Sequence, residues 1–219
     1  MFGYINICMK ITLSKQLKKR AHIKLAMLQD EVVDIMYSIS SNSVFHGGTA
    51  IWRCYNGNRF SEDLDFYAQT TRGFEHRLRI LLEQRGLKLL KYKKAPYVVF
   101  AKISNDVVTV KLELTDKKIQ NTVLMRYEKT DGTYIDIYTL SAEDLIQEKI
   151  GAYLDRRFIR DIYDIYHLSS HIENKIPKIA DFLATLPNPV DEKNLRTLLY
   201  SGASPSFDEI IRTLKRRFG

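Results

Sequence analysis

The fold is decided by residues 44–66, which read VFHGGTAIWRCYNGNRFSEDLDF. Val44-Phe45 is a short apolar segment that predicts a strand, and the segment Thr49–Tyr55 after the glycines predicts a helix. A strand that reaches a helix through Gly47-Gly48 favours phosphate binding, because glycine lets a ligand approach the backbone and the free N–H groups at the helix start attract anions. Gly47 and Gly48 are therefore candidate phosphate contacts.

An Asp-x-Asp pair follows, with Asp63 and Asp65 on either side of Leu64. Residues i and i+2 of a strand project to the same side, so the two carboxylates share one space. Like charges this close repel each other, and a divalent cation resolves the conflict. Alone, such a pair also fits an exposed turn. Combined with the glycines, it predicts a magnesium site for nucleotidyl transfer.

A second Mg²⁺ ion needs a further carboxylate, and Glu113 is the natural candidate. Apolar and polar side chains alternate along Val107–Leu114, which predicts a strand with Glu113 on its polar face. A buried acid without a partner would be costly there. Asp106 and Asp116 flank the same strand and stay open as alternatives.

Three polar residues near these motifs have less specific signals. Arg59 and Ser61 precede the Asp pair, and Ser61 either contacts phosphate or caps the turn. His46 adjoins the glycines but has no Cys or His partner at metal-ligand spacing. A structural role or a minor phosphate contact is therefore expected for His46.

Elsewhere the hydrophobic pattern separates a mixed region from a helical one. Predicted helices include Ser14–Ile39 with Ser14 as N-cap, and Phe207–Phe218. After Leu140 helical periodicity dominates. The expected architecture is α+β, with a core over residues 1–140 containing a mixed sheet and a helical C-terminal lobe over residues 141–219. The other predicted elements of the core are the helix Thr71–Arg85 and the strands Leu64–Tyr67, Leu87–Tyr92, Tyr97–Ile103 and Tyr134–Tyr138.

The net charge of +8 is concentrated in the first part of the chain. Residues 1–137 hold 22 Lys and Arg against 14 Asp and Glu, whereas residues 138–219 hold 12 of each. One basic cluster lies between Lys15 and Lys24, and a second covers Arg72–Lys94. Such surfaces attract nucleic acid or nucleoside triphosphate. Solvated helix faces are the alternative explanation.

The composition narrows the cellular setting. No apolar run reaches the roughly 18–20 residues of a membrane span, and Met1–Lys10 lacks the features of a signal peptide. Cys8 and Cys54 suggest no disulfide framework, and Cys54 is expected to pack within its helix. A cytoplasmic protein without membrane contact is expected.

The stretch GGTAIWRCYNGNRFSEDLDF, residues 47–66, resembles the signature of the nucleotidyltransferase family that contains the AbiEii/AbiGii-type toxins of type IV toxin–antitoxin systems. That signature carries Gly-Gly-Thr-Ala and then Arg-x-Ser-x-Asp-hydrophobic-Asp-Phe. A second family block resembles Glu148–Tyr153, Arg156 and Arg160–Leu168. The third acid here is Glu113, where relatives often have Asp.

The resemblance implies a polymerase-β-like core followed by a helical lobe. It also implies transfer of a nucleoside monophosphate from an NTP with two Mg²⁺ ions held by Asp63, Asp65 and Glu113. The matched motif adds Thr49, Arg59 and Ser61 to the expected nucleotide contacts. The implied partners are an RNA acceptor, with tRNA suspected, and an antitoxin protein from a neighbouring gene.

The second block adds Lys149 and Asp161 as candidate catalytic residues. Lys149 would neutralise triphosphate charge, although a solvated helix lysine is the simpler explanation. Asp161 would orient Lys149 or a substrate hydroxyl; helix capping or an ion pair with Arg157 or Arg160 is the alternative. Asp164, one turn further, is interpreted as structural.

Two other functions remain open from the sequence. One is a nucleotidyltransferase that modifies a protein or a small molecule. The other is a non-catalytic nucleic-acid-binding module, which the presence of all three acids disfavours.

Overall fold

A computed structural model describes residues 11–173 and 177–219. Met1–Lys10, including Cys8 and the segment assessed as a signal peptide, lies outside the described residues. The strands are β1 (Val44–His46), β2 (Leu64–Tyr67), β3 (Lys88–Ala95), β4 (Val98–Ser104), β5 (Thr109–Thr115), β6 (Val123–Glu128) and β7 (Tyr134–Thr139). The helices are α1 (Leu13–Gln16), α2 (Arg20–Ile39), α3 (Gly47–Cys54), α4 (Phe74–Gln84), α5 (Ala142–Arg156), α6 (Ile159–Ser169), α7 (Pro177–Ala184), α8 (Leu195–Leu198) and α9 (Phe207–Phe218).

The strands form one mixed sheet in the order β3-β4-β5-β2-β1-β7-β6. Its centre pairs β5 with β2 in parallel and β2 with β1 antiparallel. The strand carrying Asp65 therefore lies between the strand carrying Glu113 and the strand that leads into the glycines. The predicted α+β fold with a mixed sheet is confirmed.

One face of β4 and β5 contributes side chains to the hydrophobic core. Val99, Ile103, Val110 and Leu112 are at most 1% exposed, and α2 packs against β5 on this side while α4 packs against β3. Because strand side chains alternate, the residues between them project to the opposite face. That opposite face is exposed at Phe100, which retains 43% of its accessible surface.

A buried ion pair fixes α3 to its neighbours. Arg53 is 1% exposed, pairs with Asp30 of α2 at 3.1 Å and donates to the carbonyl of Glu128 at 2.9 Å. Asp30 also accepts a 2.9 Å hydrogen bond from the Tyr127 hydroxyl. Since the start of α3 carries Gly47 and Gly48, this network holds the glycine turn in place from the far end of the helix.

The predicted N-terminal helix and its cap were wrong, and one strand of the sheet was not predicted. The predicted helix Ser14–Ile39 is broken at Leu17, whose backbone is extended, and Ser14 lies inside α1 instead of capping it. Leu13 and Leu17 are both 3% exposed and fill a small hydrophobic cluster with Trp52. Packing of both leucines into this cluster overrides the helical pattern. Strand β6 was not predicted.

Backbone hydrogen bonds join the end of α8 and the segment after it to the loop before Asp63. Phe60 N–H donates to the Leu198 carbonyl at 3.0 Å, and Tyr200 N–H donates to the Asn58 carbonyl at 3.1 Å. Helix α9 has the bounds expected from the sequence. One hydrophobic cluster runs through both parts of the chain, and the division at residue 140 stays a prediction. Within residues 11–173 and 177–219, no helix combines the length and the apolar character needed to cross a membrane.

Candidate active site

Both glycines after β1 lie in close contact with side chains of the segment Arg59–Asp65. Gly47 has φ of +73°, and a Cβ there would overlap the Asp65 carboxylate. A Cβ at Gly48 would lie 2.5 Å from Nη2 of Arg59 and 2.7 Å from Oγ of Ser61. The positive φ and the overlap favour glycine at Gly47, and a Cβ at Gly48 would require Arg59 and Ser61 to shift. The predicted residues of this motif do meet at the start of α3.

The predicted carboxylates lie on neighbouring strands. Asp65 of β2 is in register with Glu113 of β5, and Asp63 immediately precedes β2. Burial raises the pKa of Asp65, and although His46 opposes the rise, the Asp63 charge adds to it. Burial also raises the pKa of Glu113, and the Asp65 charge contributes. Negative charge is therefore incompletely compensated between these strands.

A divalent cation fits this donor set. Carboxylate oxygens are the ligands that Mg²⁺ prefers, and a cation would offset the repulsion that raises both pKa values. Among the described residues, no three His, Cys, Asp or Glu side chains converge as a preformed metal cluster. Asp63 is the most exposed of the three acids, and its Oδ1 lies 3.8 Å from Nζ of Lys111.

Asp164, which the sequence left as a structural residue, is the shared counterion of two cations at the site. Its carboxylate accepts two 2.8 Å hydrogen bonds from Arg59 and lies 2.8 Å from Nζ of Lys149. Burial alone would raise the pKa of Asp164, but the two cations hold it at about 2. Burial would lower the pKa of Arg59, and Asp164 instead keeps it above its usual value.

Asp161 holds a second pair of cations. It is fully buried, accepts two 2.8 Å hydrogen bonds from Arg156 and lies 3.5 Å from Nζ of Lys149. The alternative ion pairs with Arg157 or Arg160 are not the ones formed. Both of its oxygens are used by protein side chains, which favours orientation of Lys149 over direct contact with a substrate hydroxyl.

The cations that Asp161 and Asp164 hold line a cavity of about 320 Å³. Its wall includes the three predicted carboxylates, and it faces four cations: Arg59, Lys149, Arg156 and Arg160. Gly47, Gly48 and Ser61 also line it. Thr49 does not reach it, since its hydroxyl is buried and donates to the Asp63 carbonyl at 2.5 Å. The side chain of Thr49 therefore supports the segment that carries Asp63. Asp106, which pairs with Lys88 at 2.7 Å, lies outside the cavity.

A cluster missed by the sequence analysis flanks Asp65. The His46 ring stacks on Tyr67 at 3.8 Å, and Glu148 binds both, with His46 Nδ1 at 3.2 Å and the Tyr67 hydroxyl donating at 2.5 Å. Burial would raise the pKa of Glu148, but the hydrogen bond with His46 lowers it. The sequence does contain a signal for part of this cluster: alternation along β2 puts Tyr67 on the same side of the strand as Asp65.

The basic segment Arg72–Lys94 is divided between the two faces of the sheet. Arg72, Arg79 and Lys94 line a cavity of about 680 Å³ beside α4. Lys91 and Lys93 line a separate cavity of about 550 Å³ on the other face, where Phe100 is exposed. We call this face of β3, β4 and β5 the open face. The second cavity also has Asp63, Asp65 and Glu113 in its wall, so it adjoins the 320 Å³ cavity across the carboxylates.

Neighbouring carboxylates, a glycine turn at a helix start and fixed cations around one cavity are compatible with nucleotidyl transfer. A family model described as "Nucleotidyl transferase AbiEii toxin, Type IV TA system" matches residues 37–214, most of the chain. The chain belongs to this AbiEii family of nucleotidyltransferase toxins.

Solved structures agree on the fold. A crystal structure of JHP933 from Helicobacter pylori superposes with a TM-score of 0.63 at 19% identity, covering 91% of this chain and 90% of that one. MenT4, a nucleotidyltransferase toxin from Mycobacterium tuberculosis H37Rv, gives a TM-score of 0.58 at 17% identity, covering 94% and 87%. A search of curated proteins found no significant match.

Proposed function

We propose that the protein transfers a nucleoside monophosphate from an NTP to a hydroxyl of RNA, with tRNA as the first candidate, in an Mg²⁺-dependent reaction that makes it the toxin of a toxin–antitoxin pair. The observation that carries the proposal is the 320 Å³ cavity, in which the three predicted carboxylates, together with Glu148, face four cations. The carboxylates have the charge to bind a metal ion, and the cations have the charge to bind a triphosphate. A metal–nucleotide complex would therefore meet complementary charge on both sides.

The side chains divide the work of binding. Asp63, Asp65 and Glu113 would hold Mg²⁺, which when bound supplies charge neutralisation and a lower pKa for the attacking hydroxyl. Lys149 and Arg59 would contact phosphate oxygens from fixed positions, because Asp164 holds both. Backbone N–H groups at the start of α3 would donate hydrogen bonds to another part of the triphosphate.

In the transfer, the acceptor hydroxyl oxygen bonds to the α-phosphorus as the bond from that phosphorus to its bridging oxygen breaks. Pyrophosphate leaves and the hydroxyl proton is released to water. Preorganised cations favour this step because charge that moves onto pyrophosphate meets groups that need no reorientation.

The test is transfer of α-labelled NTPs to RNA with Mg²⁺, using Asp65→Asn and the matched control Asp106→Asn. The control removes the same charge from a residue outside the 320 Å³ cavity. Wild type and Asp106→Asn should label RNA, and Asp65→Asn or added EDTA should abolish labelling. Labelling of a protein or small molecule in place of RNA would overturn the acceptor, and full activity of Asp65→Asn would overturn the catalytic assignment.

The toxin role has a cellular test. Expression of the wild type should arrest growth, expression of Asp65→Asn should not, and the product of a neighbouring gene should relieve the arrest. Growth arrest by both forms would separate toxicity from nucleotidyl transfer.

A further inference from the structure

Two rows of side chains cross the open face of the sheet and end at the carboxylates. In the first row, Lys91 of β3 pairs with Lys102 of β4, which pairs with Lys111 of β5. Lys111 in turn lies 3.8 Å from Asp63. We call Lys91, Lys93, Lys102 and Lys111 the lysine rows.

The second row is also read from the strand register. Lys93 of β3 pairs with Phe100 of β4, Phe100 pairs with Glu113 of β5, and Glu113 pairs with Asp65 of β2. An exposed aromatic ring therefore lies between a lysine and the two partly buried acids, in line with them.

A β-bulge creates this arrangement. Leu89 pairs with Ile103 on the covered face, and the register then shifts so that Lys91 pairs with Lys102 on the open face. If the register of Leu89 continued without this shift, Lys91 and Lys93 would pair with Ala101 and Val99 and point to the covered face. The bulge is what puts these two lysines beside the carboxylates.

The two cavities differ in how their cations are held. In the 320 Å³ cavity, Arg59, Lys149 and Arg156 are fixed by buried carboxylates. On the open face all four lysines are exposed. Within the described residues, Lys111 forms an ion pair, with Asp63, and none is observed for the other three. Flexible, strongly hydrated ammonium groups suit a polyanion whose phosphates need no single geometry.

We infer that the open face of β3, β4 and β5 binds the RNA acceptor, with the lysine rows contacting successive phosphates of a single strand and Phe100 stacking on a base near its reactive end. This inference rests on the proposed function and names the acceptor site within it. Strand spacing of roughly 4.8 Å separates neighbouring ammonium stems, and sequence-tolerant stacking on an exposed ring is usual in single-strand sites. The shared carboxylates would then receive the nucleotide from one cavity and the acceptor hydroxyl from the other.

The experiment compares two triple variants with equal charge change. Lys91→Gln/Lys93→Gln/Lys102→Gln neutralises the open face, whereas Arg72→Gln/Arg79→Gln/Lys94→Gln neutralises the face beside α4. RNA affinity is measured from about 50 to about 200 mM salt, together with NTP affinity and thermal stability. Lys111 is left intact because it contacts Asp63.

The open-face variant should lose at least about tenfold in RNA affinity, and its slope of log K against log salt should fall by about 2, since three single-strand phosphate contacts at about 0.7 each are lost. NTP affinity and stability should stay unchanged. Phe100→Ala should weaken RNA binding about 5- to 100-fold with the salt slope retained. The variant beside α4 should retain the wild-type slope.

Equal slopes for wild type and the open-face variant, or an equal loss in both triple variants, would overturn this acceptor site. Such a result would leave the proposed function standing if wild type still labels RNA and Asp65→Asn does not. Failure of the wild type to label or bind RNA would instead remove the RNA acceptor itself, and the inference with it.

Discussion

Two cationic regions border the same carboxylates and are built in opposite ways. The paired cluster, comprising Arg59, Lys149 and Arg156 with Asp161 and Asp164, is held by ion pairs of 2.8 to 3.5 Å around two buried carboxylates. The lysine rows are exposed on the open face of the sheet. Burial and pairing distinguish them, although both carry positive charge.

The difference bears on stability and on recognition. Burying charge is expensive, and a buried ion pair does not by itself argue for a more stable fold, whereas breaking one is strongly destabilising. Under the proposed function, the benefit of the paired cluster is preorganised cations for a ligand of one shape. Exposed lysines contribute little to stability and bind by long-range, salt-dependent attraction. Four predictions follow this contrast from the largest effect to the smallest.

The largest effect is expected where the two regions meet. Asp65→Asn should lower nucleotidyl transfer by about 10³-fold or more, because under the proposed function it removes a metal ligand worth several kcal/mol. The fold should be as stable as wild type or more stable at neutral pH. The pKa of Asp65 is raised above 3.8, so its stabilising contribution is present below that pH and is lost as the pH rises through the folded value.

The measurements are labelled-nucleotide transfer and thermal unfolding with and without Mg²⁺. Mg²⁺ should raise the melting temperature of the wild type by more than that of Asp65→Asn. A variant that unfolds earlier and responds to Mg²⁺ as the wild type does would contradict the assignment.

Asp164→Asn should break the paired cluster. It leaves Arg59 and Lys149 without their shared counterion, which costs about 3–5 kcal/mol of unfolding free energy, and NTP use should fall with it. The pKa of Asp164 is lowered from 3.8 to about 2. The stability it contributes is therefore present above pH 3.8 and is lost as the pH falls towards 2.

Urea unfolding of both proteins across that pH range tests this. The gap between wild type and Asp164→Asn should close as the pH approaches 2. A gap that stays constant down to that pH would show that the Asp164 charge is not what stabilises the cluster.

Gly48→Ala tests the packing of the glycine turn against the paired cluster. Its Cβ would lie 2.5 Å from Nη2 of Arg59, so overpacking of about 1–3 kcal/mol and loss of transfer are expected. The matched control is Gly151→Ala in α5, where a Cβ meets nothing within 4 Å. That control should stabilise the helix by about 0.5–1 kcal/mol and keep full activity. Chemical denaturation and the transfer assay distinguish the two, and equal behaviour of both alanines would contradict the prediction.

The smallest effect is expected in the lysine rows. Lys102→Gln should change stability by no more than about 0.5 kcal/mol and lower RNA affinity a few-fold at low salt. Calorimetry and RNA titration at two salt concentrations measure both. If this exposed lysine proved as important for stability as the paired cluster, the contrast between the regions would fail.

Local patterns predicted part of the candidate site because the relevant residues lie close in the chain. Gly47, Gly48 and Asp65 were named from a motif in which strand alternation and glycine geometry act over short range. Glu113 followed from alternation along one strand. The roles of these acids in catalysis stay predictions, and their arrangement around one cavity is what the fold adds.

Other features depended on contacts between distant segments. Arg59 and Asp164 are separated by 105 positions in sequence, and no local pattern reveals a bidentate pair across that distance. Strand β6 reads VLMRYE, which includes good helix formers, and it becomes a strand through pairing with β7. The break at Leu17 likewise comes from packing into a separate cluster.

By itself, then, the sequence determined the chemistry that is available: the acids, the glycine turn, the basic segments and the α+β class. Only the tertiary structure decided which charges meet. Pairing of Asp164 with two cations requires α6 to pack against the loop that carries Arg59. Placement of Lys91 and Lys93 on the same face as the carboxylates requires the register shift at the bulge. Residue identity and short-range periodicity are written along the chain, whereas ion pairing and register are set by free energies of packing between segments far apart in sequence.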